Sequence, residues 1–225
     1  GCGVSLIAEV KRASPSAGSL KPDLDPAALA RIYAAEGAAA ISVLTDNRFF
    51  SGSLDDLRTV RATVSLPVLR KDFVFDPYQV YEARADGADA VLLIVAVLSD
   101  RRLRELHDLV HRLGMTALVE VHNQAELERA LSITPQVVGV NNRDLRTFEV
   151  RLETTEDLRN LIPDDVTLVA ESGIKTAGDV GRLRKAGVDA MLVGTSLVEV
   201  HDTAAAVRSL VQAGSEVEPT GETSR

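Results

Sequence analysis

The chain has 225 residues, 33 acidic and 25 basic, giving a formal net charge of −8 at pH 7. Its 45% hydrophobic and 26% charged residues carry enough apolar area to offset the entropy of folding, which excludes an intrinsically disordered chain. The acidic balance, the absence of tryptophan and only 4% aromatic residues argue against a nucleic-acid partner, which needs stacking rings or a clustered basic face.

A single cysteine, Cys2, can form neither an intrachain disulfide nor a thiolate zinc site, as expected of a protein of the reducing cytoplasm. No apolar run approaches the roughly 20 residues of a membrane span, so no membrane partner is expected. No basic stretch followed by an apolar one opens the chain, and a retained signal peptide is not expected. The start at Gly1-Cys2-Gly3, almost directly before a strand-like segment, reads as a fragment or processed form.

Short β-branched runs alternate with longer amphipathic ones. SLIAEV (5–10) predicts a strand and DPAALARIYAAEG (25–37) a helix, with Asp25 as N-cap and Gly37 as stop. AAISVLT (39–45) precedes SLDDLRTVRATV (53–64), where Ser53 and Asp56 are spaced like a capping box. PVLRK (67–71) leads to DPYQVYEARADG (76–87), with Pro77 in the first helical position. DAVLLIVAV (89–97), nearly all apolar, predicts a strand buried on both faces, followed by a helix over 99–113. The pattern continues as MTALVEV (115–121) with NQAELERAL (123–131), VVGVNN (137–142) with TTEDLRNLI (154–162), VTLVAES (166–172) with TAGDVGRLRKAG (176–187), and DAMLVG (189–194) with TAAAVRSLVQAG (203–214). Residues 215–225 are polar and predict a frayed tail after one domain over 1–214.

An internal echo supports this count. AAEGAAAISVL (34–44), RADGADAVLLI (84–94) and RKAGVDAMLVG (184–194) share a helix-ending glycine, and Gly37, Gly87 and Gly187 stand 50 and 100 residues apart. Eight strand–helix units of this size predict an α/β fold, a closed (β/α)8 TIM barrel. An open doubly wound sheet is the alternative, but no G-x-G-x-x-G follows the first strand.

Catalytic groups of such a barrel stand where strands end. Those positions hold Glu9 and Lys11, Lys71, Glu120, Asn141 and Arg143, Glu171 and Ser172, and Gly194. One charge at a strand end can be a rim salt bridge, but this many in an otherwise apolar barrel point to chemistry. Ser172-Gly173 and Gly194-Thr195-Ser196 offer backbone N–H groups and hydroxyls after strands 7 and 8, where barrels commonly hold phosphate. His107 and His111 share a helix face at metal-ligand spacing, but the stripe of Leu103, Leu106, Val110 and Leu113 leaves them on a solvated flank. Arg101, Arg102 and Arg104 read as ordinary helix surface, and His122 as a neighbour of the mouth with no second ligand. No metal site emerges.

LIAEVKRASPS (6–16), LPVLRKDF (66–73), ALVEVHN (117–123), GVNNRDL (139–145), AESGI (170–174) and LVGTSLV (192–198) together resemble the indole-3-glycerol phosphate synthase family, in the family's order and across nearly the whole chain. The resemblance implies closure of an indole ring on 1-(2-carboxyphenylamino)-1-deoxyribulose 5-phosphate, with loss of carbon dioxide and water and without metal or organic cofactor. It implies Lys71 as general acid, Lys11 as the holder of the anthranilate carboxylate and Glu120 as the second acid/base group. Glu9 and Asn141 would orient intermediates, with Glu171 as a further catalytic member of the site and Arg143 and Ser14 on the substrate side. Ser172, Gly173, Gly194 and Thr195 would contact the phosphate. The family also has a helical segment before strand 1, which this chain does not show. Two other readings stay open: a phosphoribosylanthranilate isomerase-type barrel, whose catalytic cysteine follows strand 1 whereas Cys2 precedes it, and a non-catalytic barrel that binds a phosphorylated ligand.

Overall fold

A computed structural model describes residues 3–15 and 18–215. Cys2, Ser16 and residues 216–225 lie outside them. Eight parallel strands close into a barrel: β1 (Ser5–Val10), β2 (Ala40–Leu44), β3 (Val68–Lys71), β4 (Ala90–Ile94), β5 (Thr116–Val121), β6 (Val137–Asn141), β7 (Thr167–Glu171) and β8 (Ala190–Val193). Each pairs in parallel with its neighbours in chain order, and β1 closes the ring by pairing Ile7 with both Leu192 and Ala40. The helices between them are α1 (Pro26–Ala35), α2 (Leu54–Thr63), α3 (Pro77–Ala85), α4 (Asp100–Arg112), α5 (Gln124–Leu131), α6 (Glu153–Arg159), α7 (Ala177–Lys185) and α8 (Thr203–Ser215). This is the predicted (β/α)8 barrel.

Local chemistry sets the helix ends. Asp25, Ser53, Asp76, Ser99, Asn123 and Thr176 each accept backbone N–H groups of a first turn. The pairing predicted at α2 is only half made: Ser53 Oγ accepts from Asp56 N, but the Asp56 carboxylate pairs with Arg12 instead. A full capping box stands one helix later, between Asp76 and Gln79. The echoed glycines share one role. Gly37, Gly87 and Gly187 take φ of +90°, +89° and +76°, the left-handed stop that only glycine adopts without strain.

Strand alternation sorts the core into two parts. Leu69, Leu92, Leu118, Val169 and Leu192 fill the barrel interior, while Val68, Val91, Val119, Val138 and Leu168 face the helices. Full burial of such a side chain stabilises by roughly 1.5–3 kcal/mol, so this doubly covered sheet dominates the fold. Three local expectations are corrected. The fourth strand stops at Ile94, because Val95–Val97 turns into a 3₁₀ segment that leaves Val97 50% exposed. His107 is not on a solvated flank: it is 6% exposed, its ring edge-on to His111 with the two Nε2 atoms 3.1 Å apart. Ser215 belongs to α8, so that helix runs one residue further than predicted. The loop after β1 also carries a small hairpin, Ala13–Ser14 against Gly18–Ser19.

Candidate active site

The residue two places beyond each interior apolar side chain stands above it at the C-terminal mouth. Thus Leu69 is followed by Lys71, Leu118 by Glu120, Val169 by Glu171 and Leu192 by Gly194. Ile7 likewise precedes Glu9, and Val137 precedes Gly139 and Asn141. Register makes neighbours of these ends, with Asn141 opposite Glu171 and Glu120 opposite Gly139.

Glu9 is the hub. It is 2% exposed and bridges both lysines, Oε1 lying 3.0 Å from Lys11 Nζ and Oε2 3.2 Å from Lys71 Nζ. Burial works to raise its pKa, but the two ammonium groups outweigh it and hold the carboxyl at about 2. Beneath it the buried Tyr33 hydroxyl donates to the Glu9 carbonyl at 3.0 Å, tying α1 to the strand end. Burial pulls Lys71 down, yet Glu9, Glu171 and Glu120 together push its pKa above the ordinary lysine value, so it stands fully protonated.

Glu171 behaves oppositely. Burial, with repulsion from Glu120 and Glu9, drives its pKa well above the carboxylate range against the pull of Lys71. Among the described residues no donor reaches either of its oxygens, and a proton on Glu171 supplies the donor that the pair with Glu120 lacks. Glu120 resists burial through His122, Lys71 and Asn141, which together lower its pKa. The two buried carboxyls are therefore pushed in opposite directions.

Two glycines make room for these carboxylates. A Cβ on Gly139 would collide with Glu171 Oε1 and lie 3.2 Å from Leu118 Cδ1, and one on Gly194 would collide with Glu9 Oε1. Gly194 thus turns its Cα toward the Glu9 carboxylate. Its carbonyl starts the one-turn helix Thr195–Val198, accepting from Leu197 N and Val198 N. Ser172 and Gly173, with φ of +67° and +83°, form the turn beside it. Asn142 fixes that turn, donating to Ser172 O at 3.1 Å while its Oδ1 accepts from Thr155.

The remaining predicted residues sit around the rim. Asn141 Oδ1 accepts from Arg143 N at 3.0 Å, and the Arg143 side chain donates to Phe148 O within its own loop. Ser14 is buried in the hairpin after β1. Lys71, Glu120 and Asn141 line a cleft together with Phe50, Phe73, Leu92 and Ile94. Phe49 packs edge-on against Phe73, ring centroids 6.0 Å apart.

Sequence reasoning missed Arg70 and, although it set His122 near the mouth, the partner that holds it there. Arg70, beside Lys71 but facing outward, is buried and joins Asp72, Glu82 and the Gln79 carbonyl, anchoring the loop that leaves β3. Charge next to charge in a strand was the available signal. His122 lies between Glu120 and Glu126, and the glutamate four residues on was the clue. No group of three or more metal-ligating side chains occurs among the described residues, nor any helix long and apolar enough to cross a membrane.

A family model described as indole-3-glycerol phosphate synthase matches residues 2–210. A protein of that name from Dehalococcoides mccartyi (strain ATCC BAA-2100 / JCM 16839 / KCTC 5957 / BAV1) is 56% identical over 211 residues, covering 92% of this chain and 82% of its own. Another, from Leifsonia xyli subsp. xyli, is 60% identical over 195 residues, covering 87% and 75%. Among solved structures, a thiamine phosphate pyrophosphorylase from Pyrococcus furiosus superposes with a TM-score of 0.69 at 18% identity, covering 93% of this chain and 94% of that one. An N-acetylmannosamine-6-phosphate 2-epimerase from Clostridium perfringens does so at 0.68 and 16%, covering 87% and 88%. Those two likenesses speak for the barrel alone, whereas the first two, with the match over 2–210, speak for the chemistry. The chain belongs to the indole-3-glycerol phosphate synthase family, the carboxy-lyases that close the indole ring in tryptophan biosynthesis.

Proposed function

We propose that the work of ring closure is divided among the mouth residues by charge state, and the observation that carries this is Glu9 held between Lys11 and Lys71. Lys11 receives the substrate carboxylate, and the apolar wall of Phe50, Phe73 and Leu92 receives the aromatic ring. Lys71, fully protonated, gives its proton to the ketone oxygen as the ring carbon bonds to the carbonyl carbon. Carbon dioxide then leaves, and the new hydroxyl departs as water. That second step needs an acid and a base together, which Glu171 protonated and Glu120 ionised can supply. Asn141 orients Glu120, and Arg143 and Ser14 stand on the substrate side of the rim. The phosphate is placed at Ser172, Gly173, Gly194 and Thr195, where remote binding energy would hold the flexible chain in reactive geometry.

A cytoplasmic location fits a biosynthetic enzyme with a phosphorylated small-molecule substrate, and the net charge of −8 speaks against a nucleic-acid partner. The test is turnover of 1-(2-carboxyphenylamino)-1-deoxyribulose 5-phosphate followed by indole fluorescence, with Glu9→Gln as the informative variant. Loss of turnover with retained binding supports the hub, and unchanged turnover refutes it.

A further inference from the structure

His122 sits outside the set of groups assigned above, yet its side chain is held between two carboxylates at the edge of that set. Strand alternation points residues 120 and 122 the same way, bringing His122 Nε2 to 3.2 Å from Glu120 Oε1. On its other side Nδ1 lies 2.9 Å from Glu126 Oε2. Glu126 is itself held: its carboxylate accepts from His122 N and Asn123 Nδ2, each at 2.9 Å, while its own N–H donates to Asn123 Oδ1, the N-cap of α5. The helix cap thus turns a glutamate back onto the histidine.

A neutral imidazole has one N–H and one lone pair. Nδ1 hydrogen-bonds Glu126, and Nε2 lies 3.2 Å from Glu120 Oε1 at ion-pair rather than hydrogen-bond geometry. Two carboxylates thus flank the ring and favour a second ring proton with the charge it brings. We propose that His122 is a positioning residue for the reaction, a clamped imidazolium that keeps Glu120 the ionised member of the Glu120–Glu171 pair and leaves the shared proton on Glu171. The groups facing His122 are Glu120 from β5 and Glu126 from α5, and those facing Glu120 are Lys71 from β3, Asn141 from β6 and Glu171 from β7. Burial would lower the His122 pKa, but its two carboxylate partners raise it to about 10, so the clamp stays charged through neutral pH. Lys71 attracts both carboxyls and cannot by itself choose between them. His122 touches only one of them, and that asymmetry sets which one keeps the proton.

The inference rests on Glu120 acting as proposed above, and the experiment separates the two. Glu120→Gln, His122→Gln and Glu126→Gln are compared with the parent for kcat and KM between about pH 4 and 9. The His122 ring nitrogens are followed in the unaltered, ¹⁵N-labelled enzyme by NMR. His122→Gln removes the cation, so the Glu120 pKa rises and its base form appears only at higher pH. We expect the acid limb of kcat to move about one unit upward, a fall of about tenfold at any pH on that limb, with kcat at pH 7 little changed and KM changed less than about twofold. Glu126→Gln leaves His122 charged on that limb and should move it less than His122→Gln does. In the parent both ring nitrogens should carry protons at about pH 8. A neutral ring there overturns the proposal whatever the variants do, including a His122→Gln protein that fails to fold. A parental pH profile in His122→Gln, with Glu120→Gln crippled, overturns it while sparing the role of Glu120. Parental turnover in Glu120→Gln removes both.

Discussion

Replacing Lys71 by Met separates proton delivery from folding. Methionine keeps an unbranched apolar stem of similar length and removes the ammonium. That ammonium lies 3.2 Å from Glu9 and also faces Glu171 and Glu120, so its loss unbalances three carboxyls at once. Stripping one partner from a buried ion pair costs about 3–5 kcal/mol when the other is left bare. Here Glu9 retains Lys11 at 3.0 Å and Glu120 retains His122 at 3.2 Å, and the carboxyls can take up protons. The cost should therefore be about 1–3 kcal/mol at pH 8, below the bare-charge figure. Its sign with pH follows. Without Lys71 the folded-state pKa values of these carboxyls rise, and a carboxyl titrating higher in the folded chain destabilises it as pH climbs through the interval. The Tm gap between variant and parent should be narrow near pH 5 and wide near pH 8. Turnover should fall by roughly two to four orders of magnitude, with KM moving far less, because the proposed phosphate contacts lie beyond β7 and β8. Thermal melts across pH, a substrate titration and the indole fluorescence assay read all three. A folded Lys71→Met protein with near-parental turnover would refute Lys71 as the acid. A Tm gap independent of pH would refute the electrostatic account.

Gly139→Ala drives a methyl group into Glu171 Oε1, so a stability loss of about 1–3 kcal/mol and lower turnover should appear together. Adding Glu171→Asp, one methylene shorter, should recover stability, and strict additivity in that double-mutant cycle would sink the steric explanation. Gly194→Ala meets Glu9 in the same way, its Cβ also lying 3.1 Å from Glu9 Cβ, and should depress turnover for substrates with and without phosphate, more for the phosphorylated one. Equal loss for both would leave Gly194 as room for Glu9 alone and move the phosphate elsewhere. Glu9, depressed to about 2, contributes stability that is present above its ordinary value of 4.5 and lost as pH falls toward 2. Glu9→Gln should flatten the acid side of the Tm profile, and an unchanged slope would contradict the ion-pair hub.

The fold was legible because its determinants are local. Apolar runs separated by capped helices name the elements, and the stops at Gly37, Gly87 and Gly187 are fixed by backbone conformation that the residue type alone reveals. The candidate site was legible because a barrel places strand ends at one mouth, so Lys71, Glu120 and Glu171 could be gathered without knowing any distance. What depends on contacts between units stayed hidden. His107 looks amphipathic by its helical position, but its burial is decided by neighbouring elements. Asp56 has the right spacing for a cap box and is captured by Arg12, 44 residues away in the chain. Gly139 reads as a weak spot in a strand until Glu171, from the next strand, is seen to fill the space.

Charge balance ties the site to its substrate. An acidic chain of net charge −8 must bind a molecule carrying both a phosphate and a carboxylate. Much of its surface charge is neutralised pairwise, as with Arg58 and Asp86, Arg182 and Glu156, or Arg208 and Glu36, and exposed pairs of that kind project little field. In the mouth the balance differs. Lys11, Lys71 and His122 face the carboxylates Glu9, Glu120 and Glu126, so charges there balance and Glu171, its pKa driven well above the carboxylate range, decides the sign. Had Glu171 ionised as well, the mouth would carry net negative charge and repel an anionic substrate. A proton on Glu171 avoids that repulsion, and in the proposed mechanism the same proton serves the dehydration. Both require that Glu120, not Glu171, carry the negative charge, and the contacts that decide this lie at one strand end and one helix cap.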